Sequence, residues 1–539
     1  MGVNQKMWTL QSLILTLLPI ILILCMLIIF KKSADISGIA GWLLLAVIAI
    51  IFFKTSPEVV ARSTFAGLIK SFPVSLIVAT SLLQMAYMEK TGALKRIIIF
   101  IKTISNENPA VQIMMVNIGF GTLMVSVGAT PVSLLPPILI ALGYTSYVAI
   151  ALPAIGYDSL CTYALLGAPI VVFVDIANKF FGPGNEITLS QAGMVFFYFL
   201  PVVSTLIGFC MLWIVGKWKA IRQGWFPCVL TGIVIGIVSF FTNKVDNLVV
   251  LTGLLCGIAV IVAMIIFLKI TGKKVIDRSK LTAEELEYEK SFPLWKACMP
   301  WIILIVLVLA LNLPQDVFNF LYRELLLPIN GLTADGSPIA TRALWNAYTW
   351  IFVSVIVSMI FLRPTKAQLG ETLKVWVKRA PRPVFSAAIF FAIGEIMNTS
   401  GYDMVTKTTT EGKNMVGVLA AASAELFSHA YGAASTFVGL FGGFLTGSEA
   451  SSIAMFSTYA MKTATALGYG KTAIIIIAAA LAFGAGLASV ISPAKLQNAA
   501  ASIDKLGEEN KVIRTAFVLA ILLVIVVAIY TVILLVVKN

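Results

Sequence analysis

Ten stretches of this chain are apolar for long enough to cross a bilayer: 10–30, 36–53, 71–88, 190–216, 224–241, 247–270, 297–313, 346–362, 383–398 and 514–537. A helix needs about 20 apolar residues to span the hydrocarbon, and a helix satisfies its own backbone groups where lipid cannot. A water-soluble core cannot absorb so many such runs. Of 539 residues, 59% are hydrophobic and 12% charged, against about 25% charged in a soluble domain. The expected fold class is an all-α polytopic membrane protein. The first run, followed by Lys31 and Lys32, is longer than a signal-peptide core and reads as a retained span.

The net charge of +14 would suggest nucleic acid in a soluble protein. Here the basic residues cluster between apolar runs, as in cytoplasmic loops facing anionic lipid, so no nucleic acid is expected as a partner. The clusters are Lys31 and Lys32; Lys90, Lys95 and Arg96; Lys217, Lys219 and Arg222; the charged loop 271–296; and Arg363 to Arg382. They share one side if the N-terminus is outside, which leaves the basic-poor loop 314–345 outside too. Lys54, Arg62 and Lys70 break the pattern. Six cysteines lie in or beside apolar runs without a CxxC pair and read as small buried hydrophobes. One histidine, His429, leaves no His-rich zinc or haem site. No GxSxG, HExxH, P-loop or CxxCH is present, so neither an enzyme nor a cofactor is expected.

The loop 271–296 divides the chain into halves, 1–270 and 297–539. Ala141-Leu142-Gly143-Tyr144 returns as Ala466-Leu467-Gly468-Tyr469, 325 positions on. Each motif follows a Gly/Ser/Thr-rich segment, 119–131 or 442–455, and precedes an apolar run ending in a proline turn, Gly167-Ala168-Pro169 or Ser492-Pro493-Ala494. Upstream, 88-MEKTG-92 resembles 397-MNTSG-401. Repeat segments 71–172 and 383–494 follow. In the assigned orientation their leading spans run oppositely, which makes an inverted repeat.

Inverted repeats with interrupted helices place a site near the midplane, where half-helix N-termini present partial positive charge and N–H groups. A carboxylate suits such ends. The breaks expected are Ser126–Pro131, Thr446–Ser452, Gly167–Pro169 and Ile491–Lys495. Candidate substrate-binding residues are Ser126, Thr130, Thr446, Ser448, Ser451, Ser452, Ser492 and Lys495. A single membrane hydroxyl more often bonds its own helix or a neighbouring one, so the cluster 446–452 carries the signal. Ionisable groups in apolar segments cost about 3 kcal/mol on insertion scales, which singles out Glu449, Asp158, His429 and Glu425 for proton coupling. Glu425 and His429 stand four apart, hence on one helical face. Glu395 reads as an end cap, and Lys462 as a snorkelling lysine.

The stretch 440-LFGGFLTGSEASSIAMF-456 with 491-ISP-493 resembles the bacterial L-lactate permease family, whose members carry F-L-T-G-S-[DE]-x-S-S and a downstream I-S-P. His429 stands at a matching distance before the motif. Leu18-Pro19-Ile20, Pro131 and Gly-Ala-Pro-Ile at 167–170 extend the likeness over nearly the whole chain. The family's first repeat reads F-L-E-G-A-A-G-F-G-A-P; here Gly121 to Pro131 read GTLMVSVGATP, with Leu123 at the acidic position. The resemblance implies import of lactate, glycolate or a related 2-hydroxy or 2-keto acid with protons. It further implies re-entrant helices, a scaffold plus a moving transport domain, and a bacterial plasma membrane. A sodium-coupled carboxylate carrier and an anion channel are the competing readings. The partners expected are a small organic anion, a coupling proton or Na⁺, the lipid bilayer, and a second copy in a homodimer.

Overall fold

In the computed structural model, residues 8–104, 108–279, 281–410, 412–489 and 491–538 are described, without the side chains of 157–159, 493 and 494. The described residues are mostly helical, with two two-stranded ribbons among them, Pro328–Ile329 with Ile339–Ala340 and Tyr402–Asp403 with Thr408–Thr409. Ten helices are long and apolar enough to cross a membrane among the described residues. Ile21, Leu43, Ile237 and Val536 are among many large apolar side chains left exposed on them. Water would penalise that surface, whereas lipid accepts it.

The N-terminal half runs through α1 (Leu10–Ile28), α2 (Ala34–Ile51), α3 (Pro57–Lys70), α4 (Phe72–Lys90) and α5 (Ala93–Lys102). The helix α6 (Pro109–Ser126) contains a π-helical stretch, Met114–Phe120. After it come α7 (Pro131–Ala141), α8 (Ser146–Gly156), a 3-10 segment Tyr157–Tyr163, and α9 (Ala164–Phe181). Next is α10 (Leu189–Asn243), opened by a Thr188/Gln191 capping box. It carries the runs 190–216 and 224–241 as two helical arms that break at Gly216–Lys217, where Lys217 has φ 53°, and fold back on each other, so that a Cβ on Gly208 would lie 3.1 Å from Cys228 Sγ and one on Gly236 3.1 Å from Pro201 Cγ. The two spans expected on either side of the basic cluster are thus separated at Gly216–Lys217, while Lys219 and Arg222 lie at the start of the second arm. The helix α11 (Thr252–Ile270) packs against α6 and α10.

The charged linker is ordered as α12 (Ala283–Ser291), strapped to α5 by Lys95–Glu284, Lys102–Glu285 and Arg96–Glu289 ion pairs. Beyond it lie α13 (Met299–Asn312), α14 (Ala347–Leu362), α15 (Lys366–Arg379), α16 (Pro381–Thr399) and α17 (Met415–Phe427). The last five are α18 (Tyr431–Thr446), α19 (Glu449–Ala466), α20 (Lys471–Ser489), α21 (Pro493–Ala501) and α22 (Glu509–Lys538).

Two basic exceptions to the charge pattern have local partners. Arg62 donates to the Gly331 carbonyl at 2.8 Å and pairs with Glu58. Lys70 pairs with Glu395 at 2.5 Å, so Glu395 is an ion-pair partner and not an end cap. Both contacts place the end of α3 beside the loop 314–345 or the end of α16.

The repeated motifs fold alike. Tyr144 N–H reaches the Leu139 carbonyl, and Tyr469 N–H the Ala464 carbonyl, behind left-handed Gly143 and Gly468. These are helix C-caps of the same six-to-one type. Gly92 and Gly401, in the upstream pair of motifs, are likewise left-handed, at φ 77° and 72°. Packing is reciprocal: α9 lies on α19 and α21 lies on α7, while the 3-10 segment meets α20 and α21 meets α8. The first breaks are not in register. With Gly143 set against Gly468, Thr130 falls on Met455, inside α19. Accordingly α7 has 11 residues and α19 has 18.

Small residues before the second break make helix contact. A Cβ on Gly439 would fall 1.9 Å from the Leu481 carbonyl oxygen, and one on Gly443 2.0 Å from that of Ala485. These glycines let α18 and α20 touch backbone to backbone, the small-xxx-small mode of membrane helices.

Candidate functional site

The break between α18 and α19 is two residues long. Gly447 is left-handed at φ 65° and Ser448 is extended, capping α19 by accepting from Ser451 N–H at 3.3 Å. Serine suits this N-cap role because it satisfies an otherwise orphaned amide. Residues 449–452, expected to be irregular, form the first turn of α19 instead. Thr446 Oγ1 donates to the Ser448 carbonyl at 2.8 Å and lies 3.0 Å from Ser452 Oγ, which also contacts the Ser448 carbonyl. Three expected ligand hydroxyls are thus engaged in holding the break. Ser451 is fully buried, and its Oγ has no hydrogen-bond partner among the described residues.

Glu449 follows at the helix start, 3% exposed. Its Oε1 accepts from Thr162 Oγ1 at 2.6 Å. Its Oε2 has no nitrogen or oxygen donor among the described residues. Gly486 of α20 makes the room, since a Cβ there would stand 2.8 Å from Oε2 and 3.5 Å from the Cβ of Cys161. Cys161 Sγ lies 3.9 Å from Ser489 Oγ. The carboxylate is thereby held between the 3-10 segment of the N-terminal half and two helices of the C-terminal half. A buried carboxylate at a helix N-terminus faces partial positive charge, and its open oxygen can take a proton, a cation or a donor hydroxyl.

The second break of the C-terminal half adjoins this place. Ser492 stands at the N-cap position of α21 without a side-chain capping bond and is 4% exposed, and its Oγ would lie 3.1 Å from a Cβ on Gly447. Half-buried Lys495, in the first turn of α21, is within electrostatic reach of Glu449. The equivalent break in the N-terminal half falls at Leu165, Leu166 and Gly167, all left-handed at φ 53°, 52° and 77°. Left-handed geometry costs roughly 1–2 kcal/mol at each leucine, and such strain gathers at functional sites.

Ser126 Oγ faces α11, where a Cβ on Gly253 would meet it at 2.4 Å, near the Tyr163 carbonyl. Thr130 stands before α7 and its side chain makes no capping bond. The Asp158 side chain lies outside the described ones. Glu425 and His429 are exposed, and Glu425 accepts from Trp8 Nε1 at 2.9 Å. The helix ends at Phe427 and Ser428 takes φ 47°, so the expected shared face is absent. Lys462 donates to Asn414 Oδ1. Among the described residues no group of three or more His, Cys, Asp or Glu could hold a metal.

Sequence reasoning missed Thr162, Cys161 and Gly486. Thr162 sits in an apolar run where a hydroxyl ordinarily bonds its own helix, so only the tertiary fold reveals it.

Broken helices meeting around a buried acid in a many-span, all-α body define a polytopic membrane protein with a polar site inside its own core. The family model for L-lactate permease matches residues 12–538, and the chain belongs to the L-lactate permease family. It is 22% identical to the glycolate permease GlcA of Escherichia coli K12, over 93% of this chain and 92% of that protein. Against the L-lactate permease of Bacillus subtilis 168 the identity is 21%, covering 97% and 95%. Against that of E. coli K12 it is 23%, covering 94% and 92%.

Proposed function

We propose that this protein is a secondary active transporter importing a small monocarboxylate, lactate, glycolate or a related 2-hydroxy or 2-keto acid, by proton symport across a bacterial plasma membrane. The observation that carries the reading is Glu449: a buried carboxylate shared between the two halves, with Oε1 bonded by Thr162 and Oε2 beside Cys161 without a nitrogen or oxygen donor among the described residues. Three of the curated relatives are named for lactate or glycolate. With the inside negative, importing a monoanion costs about 2.3 kcal/mol per 100 mV, and one co-transported proton cancels that charge.

In this reading the substrate carboxylate sits at the helix starts near Ser448 and Ser492, countered by Lys495. The Ser451 and Ser492 hydroxyls read the 2-hydroxyl, and Glu449 takes the proton. The reciprocal packing of α9 on α19 and α21 on α7 supports repeats related by an in-plane pseudo-twofold axis. In this reading the N-terminus lies outside, as the distribution of basic loops suggests, and the broken helices are the moving part.

Proton-driven uptake of labelled L-lactate into proteoliposomes tests this. Glu449→Gln is expected to abolish uphill accumulation while retaining exchange. Full proton-driven accumulation by that variant removes Glu449 from coupling. Sodium dependence, read by exchange for choline, would favour the sodium carrier, and failure ever to exceed electrochemical equilibrium would favour a channel.

A further inference from the structure

Four charged side chains meet where the ends of α3, α9 and α16 come together with the loop between α13 and α14. Lys70 Nζ is 2.5 Å from Glu395 Oε1, and Lys179 Nζ is 3.8 Å from the same oxygen. Lys179 is also 3.1 Å from Asp335 Oδ2. Among the described residues these ion pairs form a closed set of two cations and two anions. Glu395 is 11% exposed, whereas Lys179 is 49% exposed and Asp335 36%. One cation of the buried set therefore faces solvent, and its partner is a carboxylate on a loop.

That loop is fastened both to α3, through Arg62 and the Gly331 carbonyl, and to α9, in the moving part of the proposed carrier. Arg342 reaches both oxygens of Asp175, on α9, at 3.1 and 3.0 Å. Asp335 itself is shaped by Ser337, whose N–H and hydroxyl donate to Oδ1 at 3.1 and 2.6 Å. Oδ2 is thus left to face Lys179. With Asp335 withdrawn, Lys70, Lys179 and Glu395 carry one net positive charge. That vacancy matches one monoanion and is overfilled by a dianion. A lysine ammonium is a compact point charge with three rotatable donors, well suited to exchanging one carboxylate for another.

We propose that Lys179, backed by Lys70 and Glu395, is an outer receiving site for a small monocarboxylate, and that Asp335 occupies it as a tethered stand-in for the substrate. An arriving carboxylate displaces Asp335, takes its place on Lys179, and loosens the loop from α9. Capture and opening are then one event. The inference rests on the carrier reading for its ligand class, while its own test does not require transport.

The reporter is Ala334→Cys, next to Asp335 and 6% exposed while the loop is docked. It is made in the full-length protein and probed with a membrane-impermeant maleimide, with the parent protein as background for its native cysteines. L-lactate or acetate is expected to accelerate labelling several-fold over chloride at equal ionic strength. Adding Asp335→Asn should give fast labelling without any anion. Adding Lys179→Gln should remove the carboxylate response, and Lys179→Arg should restore it. Equal labelling in chloride and carboxylate overturns the proposal, because the contact then responds only to salt.

In proteoliposomes, Lys179→Gln should raise KM for lactate about tenfold, the loss of one charge-assisted contact, with kcat within about twofold. A fall in kcat at constant KM overturns a receiving role. If labelling responds to carboxylate while no monocarboxylate is transported, the receiving site stands and the carrier reading falls.

Discussion

Thr162 and Glu449 stand 287 positions apart and share a 2.6 Å hydrogen bond in the core of the protein. The donor belongs to the N-terminal half and the acceptor to the C-terminal half, so this contact joins the two halves of the chain at the acid proposed to couple transport. A hydrogen bond to a charged group is worth about 1.5–3 kcal/mol, and 1.4 kcal/mol is tenfold in a rate or equilibrium. Thr162→Val is expected to lower proton-driven lactate uptake about tenfold or more, while Thr162→Ser, which keeps the donor, stays within about threefold. Initial uptake rates in proteoliposomes measure both. Equal rates for the valine and serine variants would separate Thr162 from the coupling step.

Gly486 tests the same carboxylate from its other side. A Cβ there meets Glu449 Oε2 at 2.8 Å and Cδ at 3.3 Å, so the acid must turn away from its position. Overpacking of this size costs about 1–3 kcal/mol. Gly486→Ala should therefore remain folded, with a modestly lowered melting temperature, and lose uptake disproportionately. Gly443→Ala is the contrast. Its Cβ would fall 2.0 Å from the backbone carbonyl oxygen of Ala485, which cannot turn away. That variant should fail as a fold, read as aggregated protein in fluorescence-detected size exclusion. A well-folded Gly443→Ala would mean that α18 and α20 can part without cost.

Most of the membrane architecture was legible in the sequence because the bilayer imposes its own length on each apolar run. The span expected at 10–30 is α1 at 10–28, and that at 383–398 is α16 at 381–399. The two arms of α10 were legible as separate spans, since the basic cluster Lys217, Lys219 and Arg222 interrupts the apolar run where the chain turns back at Gly216–Lys217. Glu449 stood out because an acid in an apolar run is costly wherever it sits. Its neighbours stayed hidden, since a threonine or glycine in such a run has several ordinary uses. Thr446, Ser448 and Ser452 were noticed for their clustering, yet their hydroxyls serve the break itself. The Glu425–His429 pairing failed for a local reason: four-apart spacing means a shared face only in an unbroken helix, and Ser428 at φ 47° breaks it.

The strap between α12 and α5 separates buried from exposed charge. Arg96 is 5% exposed, donates to the Phe292 carbonyl at 2.8 Å, and pairs with Glu289. Lys95 and Glu284 form a pair that is 51% and 80% exposed. Breaking a buried pair strands its partner and costs about 3–5 kcal/mol, although Glu289 keeps Arg278 as a second cation. Exposed pairs contribute little. Arg96→Ala should lower the melting temperature of the purified protein by several degrees, and Lys95→Ala should leave it unchanged. A equal shift in both would show that the strap acts as a charge patch and not through Arg96.

The loop contact of Asp335 carries a definite pH dependence. Burial alone would favour its neutral form, but hydrogen bonds from Ser337 and the charge of Lys179 outweigh burial and hold the carboxyl well below its ordinary value. A carboxyl whose pKa is depressed by folding stabilises the folded contact at every pH above its unfolded value, about 3.9. That stabilisation is lost as pH falls from there through the depressed folded value. The Asp335–Lys179 contact should therefore survive the mildly acid conditions that drive a proton symporter. Labelling of Ala334→Cys without carboxylate is expected to stay constant between about pH 7 and pH 5, after correction for the thiolate fraction, and to rise only below about pH 4. A rise near pH 5 to 6 would mean that the loop answers to the proton directly. The outer contact would then share in coupling, which the proposed function otherwise gives to Glu449 alone.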